Sequence, residues 1–159
     1  MRSLIRLLRS GILSVPVFFS PGLSAQEPAE RAARADAILL EQVSDFLEYF
    51  IDAQKTPAQQ AALFASDAQY YEHGKAGKAA IIRDIEYFAR RWPNRNYRLK
   101  AIHYITPDPA LGKVFVSYEI DYRVVNDSRN ASGKAFYGAV IADLDSSPKV
   151  EWIKERISR

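Results

Sequence analysis

The hydrophobic rhythm of this 159-residue chain changes once, close to Trp92, and that change limits what the chain can fold into. Before it, apolar side chains return every three or four residues. Leu39, Val43, Phe46 and Phe50 form one stripe with Leu47 and Ile51 beside it, and Glu41, Asp45, Glu48 and Asp52 lie opposite. This spacing predicts an amphipathic helix over about Arg31–Ala53. Ile81, Ile85, Phe88 and Trp92 repeat the stripe over Lys78–Trp92, where Pro93 ends it by pushing its predecessor out of helical geometry. Between the two, Thr56-Pro57-Ala58-Gln59 offers a cap, a proline at the first helical position and a capping-box glutamine, which predicts a short helix to about Ala65.

Beyond Trp92 the period becomes two. Strand-like runs cover Asn96–Thr106, Lys113–Val125, Lys134–Leu144 and Lys149–Ser158, separated by segments rich in Pro, Asp, Asn, Ser and Gly. The second run is the clearest. Val114, Val116, Tyr118, Ile120, Tyr122 and Val124 share one face, and Phe115, Ser117, Glu119, Asp121 and Arg123 the other. Connections this short make neighbouring strands antiparallel. A short strand at Asp67–Glu72 precedes a turn through His73–Gly77. The expected fold is α+β: three helices packed on a curved four-stranded antiparallel sheet, with one short extra strand.

The N-terminus reads differently. Arg2, Arg6 and Arg9 precede the apolar run Gly11–Phe19, and Ser20–Ala25 ends in small residues, the order of a secretory signal peptide. The run is too short to span a bilayer, so no permanent membrane anchor is expected. Cleavage near Ala25 leaves a linker over 26–30, a domain over 31–159, and a periplasmic or secreted product. Without the three leader arginines, the basic side chains match the 19 acidic ones, which argues against nucleic-acid binding. There is no cysteine, hence no disulfide or thiolate chemistry, and the two histidines fit no metal-ligand spacing. Neither a metal nor a cofactor is expected.

The segment Leu63-Phe64-Ala65-Ser66-Asp67-Ala68-Gln69-Tyr70-Tyr71-Glu72-His73-Gly74, with Gly77-Lys78-Ala79-Ala80-Ile81-Ile82 after it, resembles the passage from second helix through first strand to third helix in nuclear transport factor 2-like domains. The resemblance covers about Ala37–Ile157. It implies a cone-shaped, cystatin-like roll enclosing an apolar pocket, and homodimers through the outer sheet face. The superfamily includes ketosteroid isomerases, scytalone dehydratase, limonene epoxide hydrolase and SnoaL-type polyketide cyclases, so fold alone assigns no reaction.

Enzymes of this fold place one or two polar groups inside the cone, where desolvation favours the neutral acid and readies it for proton transfer. Glu155 alternates with Ile153 and Ile157 and is the first candidate, although either face of its strand has apolar residues. His103 shares its parity with Ala101 and Ile105 and is the second. Tyr49, Tyr71, His73, Trp92, Tyr118, Tyr122 and Trp152 are expected to line the pocket. Arg90, Arg91, Arg95 and Arg98 form a local basic cluster suited to an anion. No ketosteroid isomerase set matches, because Glu119 and Asp121 oppose the apolar face of their strand. The sequence therefore points first to a non-catalytic module binding a small apolar or amphipathic ligand. The alternative is an isomerase, dehydratase or cyclase in which Glu155 or His103 carries the proton and Tyr118 or Tyr122 polarises the substrate.

Overall fold

The computed structural model describes residues 26–157; the expected signal peptide, Met1–Ala25, lies outside them, as does the side chain of Ile157. The chain divides into two units at Arg34. The described part of the first, residues 26–34, is helix, exposed from Glu27 on, in which Arg31 pairs with Glu27 at 2.6 Å. All the remaining architecture belongs to the second.

Helix α1 spans Gln26–Ile51, so residues 26–30 are helical where a linker was expected. Thr56 opens α2 (Pro57–Ala61) with the anticipated capping box: its hydroxyl accepts from Gln59 N at 3.2 Å, and Gln59 Oε1 accepts from Thr56 N at 2.9 Å. The helix stops four residues early because Phe64 already pairs as a strand, β1 (Phe64–Tyr70). A single 3-10 turn, Tyr71–His73, and Gly74 at φ 72 lead into the two-residue β2 (Lys75–Ala76). Helix α3 covers Lys78–Arg91. Strands β3 (Asn94–Asp108), β4 (Lys113–Val125), β5 (Asn130–Ala142) and β6 (Lys149–Ile157) follow as an antiparallel meander.

The sheet has six strands rather than four plus one, in the order β2-β1-β6-β5-β4-β3. Strand β1 enters parallel to β6, the one pairing that short connections did not predict. The expected face of β4 is the core face: Val114, Val116, Tyr118, Ile120 and Val124 are buried, and Val43, Leu47 and Ile81 of α1 and α3 complete the core with Ile141, Val150 and Ile153. Burial of these side chains, at about 25 cal/mol per Å² of apolar surface, is the main force holding helices to sheet.

Two irregularities in β3 decide the site. Its register against β4 slips between Leu99 and Ala101 and again between Ile102 and Tyr104, so Lys100 and His103 are extra residues, β-bulges in which two residues face one. Each bulge inverts the alternation once. Ile102 and Ile105 consequently face inward, whereas Ala101, across from Glu119, and Tyr104, across from Ser117, face outward.

A tyrosine-lined cavity around Glu155

Between the helices and the inner sheet face lies a cavity of about 500 Å³. Its apolar wall comes from Phe50 and Ile51 of α1, Phe64 of β1, Ile85 and Phe88 of α3, and Ile120 and Val124 of β4. Tyr70, Tyr71, Tyr97, Tyr118, Tyr122 and Tyr137 add six hydroxyl-bearing rings, and Asp84, Arg95 and Glu155 supply the charged groups.

Glu155 stands two residues after the fully buried Ile153 on β6, which carries it inward as the alternation predicts. It pairs across the sheet with Tyr137, whose hydroxyl lies near its carboxyl and favours its charged form. Burial raises the Glu155 pKa above the ordinary 4.5, and the Tyr137 hydroxyl pulls it partly back. Ring contacts continue the arrangement: Tyr137 stacks on Tyr118 at 5.3 Å and meets Tyr71 edge-on at 6.4 Å between centroids.

Tyr71 is held in the left-handed region at φ 49, a conformation disfavoured for a residue with a Cβ. The turn brings its ring into the cavity, where burial first, then Glu155 and Asp84, raise its pKa well above the usual phenol range. Tyr70, Tyr118 and Tyr137 are raised in the same direction, each chiefly by burial. Tyr97 is pushed up to about 12 by burial, with Arg95 opposing the shift and Glu155 adding to it. All these hydroxyls are therefore neutral near pH 7 and act as hydrogen-bond donors. Asp84 accepts from the Tyr70 hydroxyl at 2.8 Å.

The structure brings together Glu155, Tyr71, Trp92, Tyr118, Tyr122 and Arg95 of the residues singled out from the sequence. It sets the others apart. His103 is an exposed bulge residue on the outer face, its Nε2 3.3 Å from Glu119 and its ring stacked on Phe136, so it cannot serve the cavity. Trp152 is on the outer face as well, packed against Phe115 and over Gly138, because it alternates with the inward Ile153 and Glu155 of β6. Tyr49 is exposed beneath the Lys55 ammonium, and His73 is exposed beside the Tyr70 ring. The basic cluster disperses: Arg90 lies 3.8 Å from Glu86, Arg91 rests near the Trp92 ring, and Arg98 pairs outside with Asp121 at 2.7 Å. Only Arg95 reaches the cavity.

Asp84 and Tyr97 were missed, and both left a signal. Asp84 is three residues after Ile81 and four before Phe88, an acid within an apolar helical stripe. Tyr97 precedes the first bulge and shares parity with Leu99, which packs against the core. Among the described residues no group of three or more His, Asp or Glu converges as a metal site, and no helix is long and apolar enough to cross a membrane.

Comparison with protein-family models and with curated proteins gives no match. Solved structures do match. An NTF2-like protein with a cystatin-like fold from Novosphingobium aromaticivorans is 12% identical, with a TM-score of 0.61 over 80% of this chain and 87% of that one. The chain has the nuclear transport factor 2-like fold. A Catenulispora acidiphila protein of this fold, solved in complex with S-DNPA, is 17% identical with a TM-score of 0.60, covering 75% of this chain and 94% of its own. A second Novosphingobium aromaticivorans protein, provisionally named a scytalone dehydratase, is 16% identical with a TM-score of 0.55, covering 84% and 89%. At these identities the likeness concerns the nuclear transport factor 2-like fold alone.

Proposed function

We propose that the protein is a small-molecule enzyme of the acid–base kind, an isomerase, dehydratase or cyclase, with Glu155 as its proton carrier. The observation that carries this reading is a half-buried carboxyl at the polar end of an apolar cavity, beside a tyrosine hydroxyl. A passive binder has no need of a carboxyl whose proton is held above the ordinary range, and that feature favours catalysis over mere binding. The name of one structural neighbour, provisionally a scytalone dehydratase, and the S-DNPA bound to another are consistent with a small-molecule substrate.

The chemistry follows from the groups present. The Glu155 carboxylate removes a proton from carbon next to a substrate carbonyl, and the electron pair of that C–H bond moves onto the carbonyl oxygen as an enolate. Neutral hydroxyls of Tyr71 or Tyr118 donate hydrogen bonds to that oxygen. The protonated Glu155 then returns its proton, either to a different carbon, which isomerises the substrate, or to a departing hydroxyl, which leaves as water.

The test is exchange of the α-protons of β-tetralone in D2O, followed by proton NMR. Catalysed exchange that E155Q lowers by about 10²–10⁴, toward the solvent rate, supports the reading. Equal exchange by the two proteins sinks it.

Export belongs to the same proposal, supported by the charged, apolar and small-residue order of Met1–Ala25. Intact mass of the protein from a periplasmic or culture fraction should lack those residues; retention of Met1 overturns it. A homodimer through the outer sheet face is the expected assembly, and light scattering giving the mass of one chain counts against it.

A further inference from the structure

Arg95 is the sole cation among the described residues lining the cavity. Its guanidinium donates from Nη1 to Trp92 O and from Nη2 to Ala53 O, both at 3.3 Å. These carbonyls follow the ends of α3 and α1, so Arg95 ties together two helix termini. Both acceptors are neutral groups with the fractional negative charge of a helix end. Two of the five guanidinium N–H groups are used, and among the described residues no carboxylate pairs with the charge. This distinguishes Arg95 from Arg90, which has Glu86, and from Arg98, which has Asp121.

Arg95 also lines the cavity. Tyr97, two residues along β3, lies within electrostatic reach of both Arg95 and Glu155. The cavity lining thus carries a cation where α1 and α3 end and a carboxyl on β6. Asp84, the other acid of the lining, accepts the Tyr70 hydroxyl and makes no ion pair with Arg95, whose bonds go to the two helix-end carbonyls. A half-buried, unpaired guanidinium facing an apolar space is costly unless an anion completes it, and its planar fork suits a carboxylate.

We infer that the cavity takes a compound with a carboxylate held by Arg95, its apolar ring body lying against Tyr97 and Tyr122, which stand side by side on β3 and β4, and its reacting carbon toward Glu155. The inference rests on the proposed function only in naming Glu155 as the reacting end; the anion site stands without it. A cavity of about 500 Å³ holds one such molecule, within the ordinary range of ligand pockets.

The test is calorimetric titration of the full chain at neutral pH with naphthylacetic acid, naphthylacetamide and naphthyl phosphate. The acid and amide share a body and differ in charge. The acid is expected to bind about tenfold tighter than the amide or more, since a charge-assisted bidentate contact is worth that factor. R95M should bring the ratio close to one, and R95K should keep part of it. Equal binding of acid and amide, a preference surviving in R95M, or no binding by any probe overturns the inference. Tighter binding of the phosphate than of the acid overturns the assignment to a carboxylate. Should R95M fail to fold after losing both helix-end contacts, the acid–amide comparison on the unaltered protein and on R95K still decides. Acid preference without Glu155-dependent exchange sinks the catalytic reading alone, and exchange without acid preference sinks this one alone.

Discussion

Two glutamates on neighbouring parts of the sheet show what its two faces do. Glu119 on β4 and Glu155 on β6 are both withdrawn from solvent, yet their carboxyls shift in opposite directions. Glu119 is on the outer face, with Lys134 Nζ 2.8 Å from Oε1, an ion pair rather than an aligned hydrogen bond, and His103 at 3.3 Å. Lys134 foremost holds its pKa below 4.5. Glu155 faces tyrosines and hydrocarbon, and burial raises its pKa. Burial therefore does not predict function by itself; the company of the buried acid does. A paired acid is spent on structure, whereas an acid beside a phenol, with no cation paired to it among the described residues, remains able to exchange its proton.

The contrast can be broken most directly by neutralising each acid in turn. E155Q should lower β-tetralone exchange by about 10²–10⁴, and E119Q should leave it within about twofold. A comparable loss in both would show that the two faces do not divide the work. Next come adjacent residues on β6. I153A removes a fully buried side chain and should cost about 2–5 kcal/mol in urea unfolding, while K154A, exposed and 3.6 Å from Glu72, should stay within about 0.5 kcal/mol.

The pH dependence of stability gives a subtler check, because the two signs oppose. The raised Glu155 pKa favours the folded state below 4.5, and that contribution is lost as pH rises through the folded value. E155Q should thus be more stable than the parent near pH 7, with the gap closing in acid. The lowered Glu119 pKa stabilises above 4.5 and is lost as pH falls through its folded value. E119Q should be less stable than the parent near pH 7, again converging in acid. Thermal unfolding across pH reads both, and gaps of the same sign would refute the comparison. The smallest effect expected is that of H103A, which should leave exchange within about twofold because its ring is outside the cavity.

The fold was largely legible because alternation and turn formers are local signals. Lys113–Val125 was bounded to the residue, and its inner face was read correctly from parity. Glu155 was legible for the same reason, with no slip between it and Ile153. His103 was not. Counting by twos from Ala101 to Ile105 assumes an unbroken ladder, and a bulge is a backbone event with no side-chain signature of its own. Trp152 has the opposite parity to Glu155 and so faces out with no slip between them, while the slip beside Val150 lets that residue face inward despite sharing Trp152's parity. The parallel contact of β1 with β6 joins segments some eighty residues apart, which no local pattern encodes. Tyr71 belongs to the same class: its position was flagged, but the left-handed turn that aims it could not be read from a tyrosine.

The placement of β6 between β1 and β5 has a consequence for biosynthesis. Until the ribosome has delivered Lys149–Ile157, the edges of both partner strands stay open, and the proposed proton carrier has not yet been translated. Helices and meander can gather early, but the chamber acquires its wall and its acid in one late step. A nascent chain halted before that strand would expose two unpaired edges, the kind of surface that invites aggregation or a chaperone.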